Sequence, residues 1–336
     1  MTTQIPELPV QTPPGPPAPR GHLGSGRTRA ALRVQNRLAD AAREFLRGES
    51  VTEVRLPVIG PVTDPGARGS KQVDVDYYGR RYRLMTSAIL YKQVALTAFD
   101  AIYAVAPNVR LEPLETAVTH RHLSEFHQID VEVAHATRDD VMGLARRLIG
   151  YAVQACLDGC AAELAELGRD RAGLTAATGD YDVVSHRDAV ASLVSLGHPQ
   201  NPRAELDWEA EEMLSRRAAR PFFVIDYPKG SRGFYDRESH EQPGSLRNFD
   251  LLAGEGYGEL ASGSEREHDY SRLVTRMRET GENPAKYSWY LDVARAGLPP
   301  SAGFGIGLER LTRYVAGLAA VWEASAYPKV PGVFAP

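Results

Sequence analysis

Apolar residues recur along the chain with two different periods, which predict both helices and strands. Helical spacing predicts helices over 27–47, 88–103, 139–167, 187–196, 208–217, 270–280 and 308–315. Short or alternating apolar runs predict strands over 103–110, 125–133, 222–226, 245–252, 258–264 and 302–307, and a hairpin that turns at Tyr78-Gly79. Strands and helices do not alternate strictly. We therefore predict an α+β fold whose mainly antiparallel sheet is flanked by helices.

The first 25 residues differ from the rest of the chain because they hold seven of its 23 prolines. Proline has a fixed φ and no backbone N–H, so such a segment forms neither a helix interior nor a central strand. We predict a disordered Pro-rich tail over residues 1–25 and one folded domain over 26–336.

Composition and charge narrow the classes of function. The 336 residues carry a formal net charge of −4, which argues against a surface built to neutralise nucleic-acid phosphates. No apolar run approaches the roughly 20 residues that span a bilayer, and no signal peptide is visible. Two cysteines cannot build a disulfide scaffold or a Cys-based zinc site. We expect a soluble cytoplasmic protein that does not bind membranes.

The stretch AGFGIGLERLTRY at 302–314 has a pattern typical of a ligand-binding strand followed by a helix. Glycines alternate with apolar residues, and a glycine-lined face lets a ligand approach the backbone closely. Glu309 and Arg310 follow at the start of a helix, where the N-terminus and an arginine suit a phosphate. No further strand follows, so the glycines do not form a dinucleotide-binding fingerprint.

A second stretch, NVRLEPLETAVTHRHLSEFHQIDVEV at 108–133, combines groups that suit ATP. Arg110 and Glu112 lie on one face of a strand, and Phe126 lies on the next strand. A guanidinium binds a phosphate through two parallel bonds, a glutamate accepts from the adenine amine, and an aromatic ring stacks on a base. A surface hairpin with solvated charges is the alternative interpretation.

Together with RLPVIGP at 55–61, these stretches resemble, in order, the three signature motifs of class II aminoacyl-tRNA synthetases, most closely the aspartyl and asparaginyl branch. VRLPVIGPVTDP resembles motif 1, VRLE with THRHLSEFHQIDVE resembles motif 2, and GFGIGLER resembles motif 3. TSAILYKQ, DYPKGSRGFYDRE and GYGELASGSERE also resemble that branch. The resemblance implies a class II synthetase-like catalytic domain over 26–336 and a homodimer formed around Pro57.

The same resemblance implies an adenylate-forming ligase that uses ATP and Mg²⁺. A carboxylate oxygen attacks the α-phosphate and pyrophosphate leaves, so cationic groups stabilise the charge that develops. The implied ATP-binding residues are Arg110 (α-phosphate), Glu112 (adenine amine), Phe126 (adenine ring), Arg310 (γ-phosphate), His120 or Arg121 as assistants, and Glu259. Arg110 and Arg310 are the implied catalytic residues, and Asp250 and Glu259 are the implied Mg²⁺ ligands.

The resemblance also assigns an amino-acid pocket. Lys92 and Arg266 match the residues that grip the side-chain carboxylate of aspartate in the aspartyl branch, and Ser87 and Gln93 line the same pocket. Two cations facing one small pocket favour a dicarboxylate, so we expect aspartate or a related carboxylate as the substrate.

The segment ahead of the first predicted helix bears on which molecule accepts the activated amino acid. The branch carries an N-terminal barrel that reads the anticodon, and about 30 residues are too few for one. This arrangement resembles the archaeal-type asparagine synthetase, an ammonia-dependent paralogue, and argues against tRNA as a partner. We therefore predict an aspartate–ammonia ligase of amino-acid biosynthesis that works through an aspartyl-adenylate and yields asparagine, AMP and pyrophosphate. Asp226, Asp236 or Glu125 would help to deprotonate the ammonium.

Two alternatives stay open from the sequence. The first is an amide ligase of specialised metabolism that joins activated aspartate, or an analogue, to an amine other than ammonia. The GSRG segment at 230–233 lies beside the substrate stretch, and an altered acceptor pocket would be sought there. The second is an aminoacyl transferase that acts on a tRNA or a protein.

Overall fold

A computed structural model describes residues 15–65 and 69–333. Most of the predicted Pro-rich tail, residues 1–14, lies outside the described residues. The tail prediction is wrong over Pro19–Gly24, which form a short helix. His22 in this helix is buried, and its Nε2 lies 2.8 Å from the carbonyl oxygen of Ser325, so the segment is fixed against the C-terminal part of the chain.

Helices and strands follow each other along the chain without strict alternation. The α-helices of the described residues are α1 (Pro19–Gly24), α2 (Gly26–Gly48), α3 (Ile89–Ala95), α4 (Arg138–Gly159), α5 (Ala161–Leu167), α6 (Arg171–Thr175), α7 (His186–Ser195), α8 (Trp208–Arg216), α9 (Tyr270–Glu279), α10 (Ser288–Gly297) and α11 (Leu308–Ala316). Short 3-10 helices lie at Leu114–Thr119, Ala176–Thr178, Lys229–Ser231, Pro284–Tyr287 and Val321–Ala324. The β-strands are β1 (Thr52–Glu53), β2 (Ile59–Gly60), β3 (Asp74–Tyr77), β4 (Arg80–Leu84), β5 (Ala101–Val109), β6 (Glu125–Ala134), β7 (Asp182–Ser185), β8 (Phe222–Ile225), β9 (Asn248–Ala253), β10 (Gly258–Arg266) and β11 (Ser301–Gly307).

The strands form one large and one small sheet. The large sheet has eight strands in the order β1-β5-β6-β11-β10-β9-β8-β7, and the small sheet has the order β2-β4-β3. All neighbouring strands from β5 to β8 in the large sheet are antiparallel, and only its two edge pairs are parallel. The predicted α+β fold with a mainly antiparallel sheet is therefore confirmed.

Alternation along the central strands separates an apolar face of the large sheet from a polar one. Ile129 and Val131 of β6 and Phe304 and Ile306 of β11 are fully buried in a core that they share with α2, α4 and α11. Burying each such side chain stabilises the fold by about 1.5–3 kcal/mol. Because successive side chains of a strand point to opposite faces, the residues between them face away from this core. The polar face therefore carries the candidate site.

The structure differs from the predicted elements at several positions. The helix predicted over 88–103 ends at Ala95, because residues 101–109 pair with β6 along their whole length. The helix predicted over 139–167 is interrupted at Cys160, whose φ of −122° and ψ of 32° are not helical. Strand β7 and helix α10 have no counterpart in the sequence prediction. No helix of the described segments combines the length and the apolar character that a membrane span requires.

Candidate active site

The polar face of the large sheet forms the floor of two cavities that share part of their lining. The first, here called the arginine cavity, is lined by Arg110, Arg121 and Arg310 together with Phe126 and Glu112. The second, the ion-pair cavity, has a volume of about 260 Å³, and Lys92, Asp130, Asp236 and Arg266 are among its lining residues. Arg110, Glu259 and Arg310 line both cavities, so a ligand could extend from one into the other.

The pairing of β5 with β6 positions the first part of the arginine cavity. Asn108 of β5 pairs with Phe126 of β6, so Arg110, just beyond the end of β5, comes close to that ring. The Arg110 guanidinium lies 5.1 Å from the Phe126 ring centroid, and its Nε donates to the Thr86 carbonyl at 3.0 Å. Burial raises the pKa of Glu112 above its ordinary value, although Arg110 and Arg310 act in the opposite direction.

Arg310 and Arg121 form the other wall of the arginine cavity. Arg310 lies in the first turn of α11, and its Nη1 is 3.3 Å from Oε1 of Glu259. Arg121 is buried and forms an ion pair with Glu211, while its Nε and Nη1 have no hydrogen-bond partner in the described parts of the chain. Unused donors on a buried guanidinium are suited to an anionic ligand.

His122 lines this cavity, whereas His120 does not. His120 is exposed and has a φ of 57° at the end of a 3-10 helix, so the structure places it outside the lining of both cavities. Burial and the nearby Arg310, Arg121 and Arg110 lower the pKa of His122 to about 2. His122 is therefore neutral near pH 7.

Three carboxylates from three elements meet beside the arginines. Asp250 of β9, Glu259 of β10 and Glu211 of α8 offer oxygen atoms that all lie within 4.8 Å of one another; we call them the carboxylate cluster. Oδ1 of Asp250 is buried and has no hydrogen-bond partner among the described residues, while the other oxygen pairs with Arg232. A buried carboxylate oxygen without a partner beside two further acids is a suitable ligand set for a hard divalent cation.

The electrostatics of the carboxylate cluster differ from one residue to the next. Burial raises the pKa of Asp250, and it raises the pKa of Glu211 to about 7 against the effect of Arg121. Burial also acts to raise the pKa of Glu259, but Arg310, Arg121 and Arg232 outweigh it, and the resulting pKa lies below the ordinary value. Glu259 is therefore the member that most readily carries a negative charge.

The ion-pair cavity holds two cations, and the structure pairs both with protein carboxylates. Lys92 Nζ lies 2.6 Å from Oδ1 of Asp130 and 3.9 Å from Oε2 of Glu132. Arg266 donates to the two oxygens of Glu132 at 2.8 and 3.1 Å, and its Nη1 lies 3.4 Å from Oδ1 of Asp236. Both predicted cations therefore line one cavity, and three acids accompany them.

Glycines of β11 make this arrangement possible. A Cβ on Gly303 would lie 2.2 Å from Oε2 of Glu132, and one on Gly305 would lie 2.9 Å from Oδ1 of Asp130. Distances below about 3 Å are repulsive for carbon and oxygen, so neither position accepts a side chain without displacement of the carboxylates. The alternating glycines make room for the acids of β6 as well as for a ligand.

The remaining predicted residues divide between the cavity and its surroundings. Ser87 lines the ion-pair cavity. Gln93 does not line it, because its amide is engaged below the surface with the Glu267 carbonyl at 3.1 Å and the Tyr290 hydroxyl at 3.0 Å. Of the proposed bases, Asp236 lines the cavity, Asp226 pairs with Arg138 instead, and Glu125 is exposed.

Besides His122, sequence reasoning missed four residues of the site. Asp130 and Glu132 could have been found, because alternation in QIDVEV places them on one face of β6. Arg232 lies 4.5 Å from the Tyr227 ring centroid and pairs with Asp250, and only its place in the GSRG segment pointed to it. Nothing in the sequence separates Glu211 from the other acids of α8.

Comparisons with known proteins agree with this geometry. Residues 22–331 match the profile of the family described as tRNA synthetases class II (D, K and N). The asparagine–tRNA ligase of Thermococcus gammatolerans is 34% identical over 316 residues, which cover 92% of this chain and 71% of that protein. An asparagine–tRNA ligase of Thermus thermophilus is 36% identical over 309 residues, covering 90% and 69%. Asparaginyl-tRNA synthetase from Pyrococcus horikoshii, solved with asparaginyl-adenylate, superposes with a TM-score of 0.88 at 31% identity and covers 95% of this chain and 72% of that one.

These relatives correct two predictions. They are tRNA ligases and not ammonia-dependent asparagine synthetases, so the predicted aspartate–ammonia ligase and the argument against tRNA are both wrong. The signature motifs could not separate the two functions, because paralogues that form an adenylate share the ATP site. Net charge misled for a different reason, since it averages over the surface and does not report the arginines concentrated at the site. Of the predicted functions, aminoacyl transfer fits the relatives better.

Proposed function

Because the chain belongs to the class II tRNA synthetases of the D, K and N group, we propose that it activates asparagine with ATP and transfers the aminoacyl group to a tRNA. Such an enzyme is a ligase that forms an aminoacyl-adenylate and releases AMP. The observation that supports this proposal most directly is the junction of the two cavities. It allows the nucleotide and the amino acid to meet beside Arg110 and Arg310.

The arginine cavity would bind ATP. Phe126 offers an aromatic surface for adenine, Glu112 offers an acceptor for its amine, and Arg110 is held at the cavity junction by the Thr86 carbonyl. A carboxylate oxygen of the amino acid attacks the α-phosphorus, a new P–O bond forms, and the bond to pyrophosphate breaks. Guanidinium groups already in place stabilise the added negative charge without reorganisation.

The carboxylate cluster would hold Mg²⁺. Asp250, Glu259 and Glu211 supply the hard oxygen ligands that this ion prefers, and the partnerless Oδ1 of Asp250 is the observation that fits it. Bound there, the ion would neutralise phosphate charge. Arg310 contacts Glu259 and would keep that carboxylate oriented.

The immediate partners of Lys92 and Arg266 favour asparagine over aspartate. Both cations already pair with protein carboxylates, those of Asp130, Glu132 and Asp236, so a substrate carboxylate placed between them would lie close to these acids as well. An amide instead offers a donor and an acceptor together. Oδ2 of Asp130 is buried without a partner in the described chain, and it can accept from an amide or an ammonium group.

Transfer to the tRNA completes the proposed reaction. A terminal ribose hydroxyl oxygen bonds to the activated carbonyl carbon, and the bond from that carbon to the AMP phosphate oxygen breaks. AMP leaves with the electron pair, and the hydroxyl proton passes to the leaving phosphate or to water.

We also propose the homodimer around Pro57 that the motif 1 resemblance implies. A monomer in light scattering would contradict it.

ATP–pyrophosphate exchange and tRNA charging test the two halves of this proposal. We expect exchange with asparagine to exceed exchange with aspartate, and asparaginyl-tRNA to form when tRNA is added. The control is Arg310→Ala, which removes a cation of the arginine cavity and should support neither reaction. Exchange with aspartate but not with asparagine would refute the assignment of asparagine as the substrate. Exchange without formation of aminoacyl-tRNA would refute the assignment of tRNA as the acceptor.

A further inference from the structure

The hairpin of β3 and β4 carries three tyrosines that line neither the arginine cavity nor the ion-pair cavity. Tyr77 and Tyr82 stack with their ring centroids 4.5 Å apart and their planes at 29°. Tyr78 lies edge-on to Tyr77, with the centroids 4.9 Å apart. Tyr77 is 40% exposed and Tyr78 is 93% exposed, so the end of the hairpin offers aromatic surface to solvent.

Tyr78 has a backbone conformation that disfavours its side chain. Tyr78 and Gly79 form the two-residue turn between the strands, with φ angles of 52° and 79°. Turns with two positive φ angles favour asparagine followed by glycine, and a bulky residue at the first position is strained. Because Tyr78 is almost fully exposed, burial in the core does not compensate this strain. An exposed ring held in a strained turn is typical of a binding residue.

Strand register places one cation on the same face as the tyrosines. Tyr77 pairs with Arg80, and Val75 pairs with Tyr82, so the side chains of both pairs lie on one face of the hairpin. Arg80 is exposed and forms no ion pair within the described segments. We call Tyr77, Tyr78, Arg80 and Tyr82 the tyrosine face. It combines aromatic rings with a positive charge that no acid neutralises.

The acids of the hairpin lie on its opposite face. Asp74 is 2.5 Å from Arg81 and 3.4 Å from Arg83, and Oδ1 of Asp76 accepts from the backbone N–H of Gly79 at 2.7 Å. Two acids therefore balance two arginines on that face. The excess positive charge of the hairpin lies on the tyrosine face.

We propose that the tyrosine face binds unpaired bases of RNA, with Tyr78 stacking on a base and Arg80 contacting a neighbouring phosphate. Every base has a π face, so an exposed ring stacks on any of them, and a cation beside the ring attracts the phosphate backbone. Tyr77 supports the Tyr78 ring from the side. The inference goes beyond the proposed function, because this surface lies outside both cavities and needs neither adenylate formation nor aminoacyl transfer.

The first test compares Tyr78→Asn with Tyr151→Asn, a control at an exposed tyrosine of α4 on the apolar side of the large sheet. Asparagine suits the turn at position 78, so the fold should be retained and the thermal midpoint should not fall. The quantity measured is the Kd of a labelled single-stranded RNA of about ten nucleotides, by fluorescence anisotropy. We expect Tyr78→Asn to raise this Kd about tenfold, the effect of losing one stacked base, and Tyr151→Asn to leave it unchanged.

The second test compares two neighbouring arginines that point to opposite faces. Arg80→Gln removes the unpaired charge of the tyrosine face, whereas Arg81→Gln removes the partner of Asp74. We expect Arg80→Gln to make the dependence of log Kd on log salt concentration shallower by about 0.7, the value for one phosphate contact of a single strand. Arg81→Gln should keep the wild-type slope, and a merely structural role of Arg80 would keep it as well.

Unchanged RNA affinity in Tyr78→Asn together with an unchanged salt slope in Arg80→Gln would overturn the inference, as would equal effects in the two control variants. A lower molecular mass of Tyr78→Asn in light scattering, at unchanged RNA affinity, would identify the tyrosine face as a contact between copies of the chain and would overturn the inference too. Failure of the wild type to charge tRNA would refute the proposed function without changing these expectations.

Discussion

Replacement of Lys92 by methionine tests the buried ion pair on which the site is built. Lys92 and Asp130 side chains are only 3% and 2% exposed, so water screens their attraction little. Methionine keeps the length of the chain but removes the charge. Oδ1 of Asp130 then loses the ammonium at 2.6 Å, and its Oδ2 already has no partner among the described residues. The carboxylate would be left buried and uncompensated.

The expected loss of unfolding free energy depends on whether the Asp130 carboxylate stays charged or takes up a proton. Breaking a buried pair costs about 3–5 kcal/mol when the remaining charge persists. A carboxyl group can instead take up a proton, and protonating an ordinary aspartate costs about 4 kcal/mol at pH 7 and about 1.5 kcal/mol at pH 5. We therefore expect Lys92→Met to lower the free energy of unfolding by about 4 kcal/mol at pH 7 and by about 1.5 kcal/mol at pH 5.

Urea unfolding of four proteins at both pH values provides the measurement. Adding Asp130→Asn to Lys92→Met removes the stranded charge, so the double variant should recover most of the loss, and its difference in stability from the wild type should change little between the two pH values. Lys286→Met, at an exposed position, should stay within about 0.5 kcal/mol of the wild type. A Lys92→Met protein within about 1 kcal/mol of the wild type at pH 7 would refute the reasoning.

Three further predictions address the arginine cavity and the carboxylate cluster. Arg310→Ala should lower ATP–pyrophosphate exchange at least ~100-fold with an unchanged far-UV circular dichroism spectrum, and retained exchange would contradict its assignment to ATP. Glu211→Gln should raise the Mg²⁺ concentration that gives half-maximal exchange about tenfold. Glu209→Gln, at an exposed position of the same helix, should leave that concentration unchanged. Equal responses of the two variants would exclude Glu211 as a Mg²⁺ ligand. The pKa of His122 is about 2 in the folded chain, so below pH 6.5 only the unfolded chain gains its proton, and stability falls by about 2 kcal/mol between pH 7 and pH 5. His122→Asn should remove that part of the pH dependence in urea unfolding, and an unchanged slope would show that His122 is not its source.

Local sequence pattern was enough to predict the elements that carry the site. Alternation in β6 and β11 is a local property, because adjacent side chains of a strand point to opposite faces whatever lies further away. The apolar and polar faces of the sheet, the glycines of β11 and the positions of Arg110, Phe126 and Arg310 could therefore be predicted. The motifs that carry the family resemblance are equally local, since each lies on one strand, loop or helix start.

Contacts between charged side chains of the site could be learned only from the tertiary structure, because they join elements that are far apart in the sequence. Glu211, Asp250 and Glu259 come from α8, β9 and β10, and their approach depends on how a helix packs on a sheet. Pairing of Lys92 with Asp130 depends likewise on where α3 lies over β6, and it gives a cation of the cavity a buried carboxylate partner. Lys92 and Asp130 are 38 positions apart, so no local period encodes their contact. Packing and strand register bring these side chains together, and with them the charge balance that distinguishes one ligand from another.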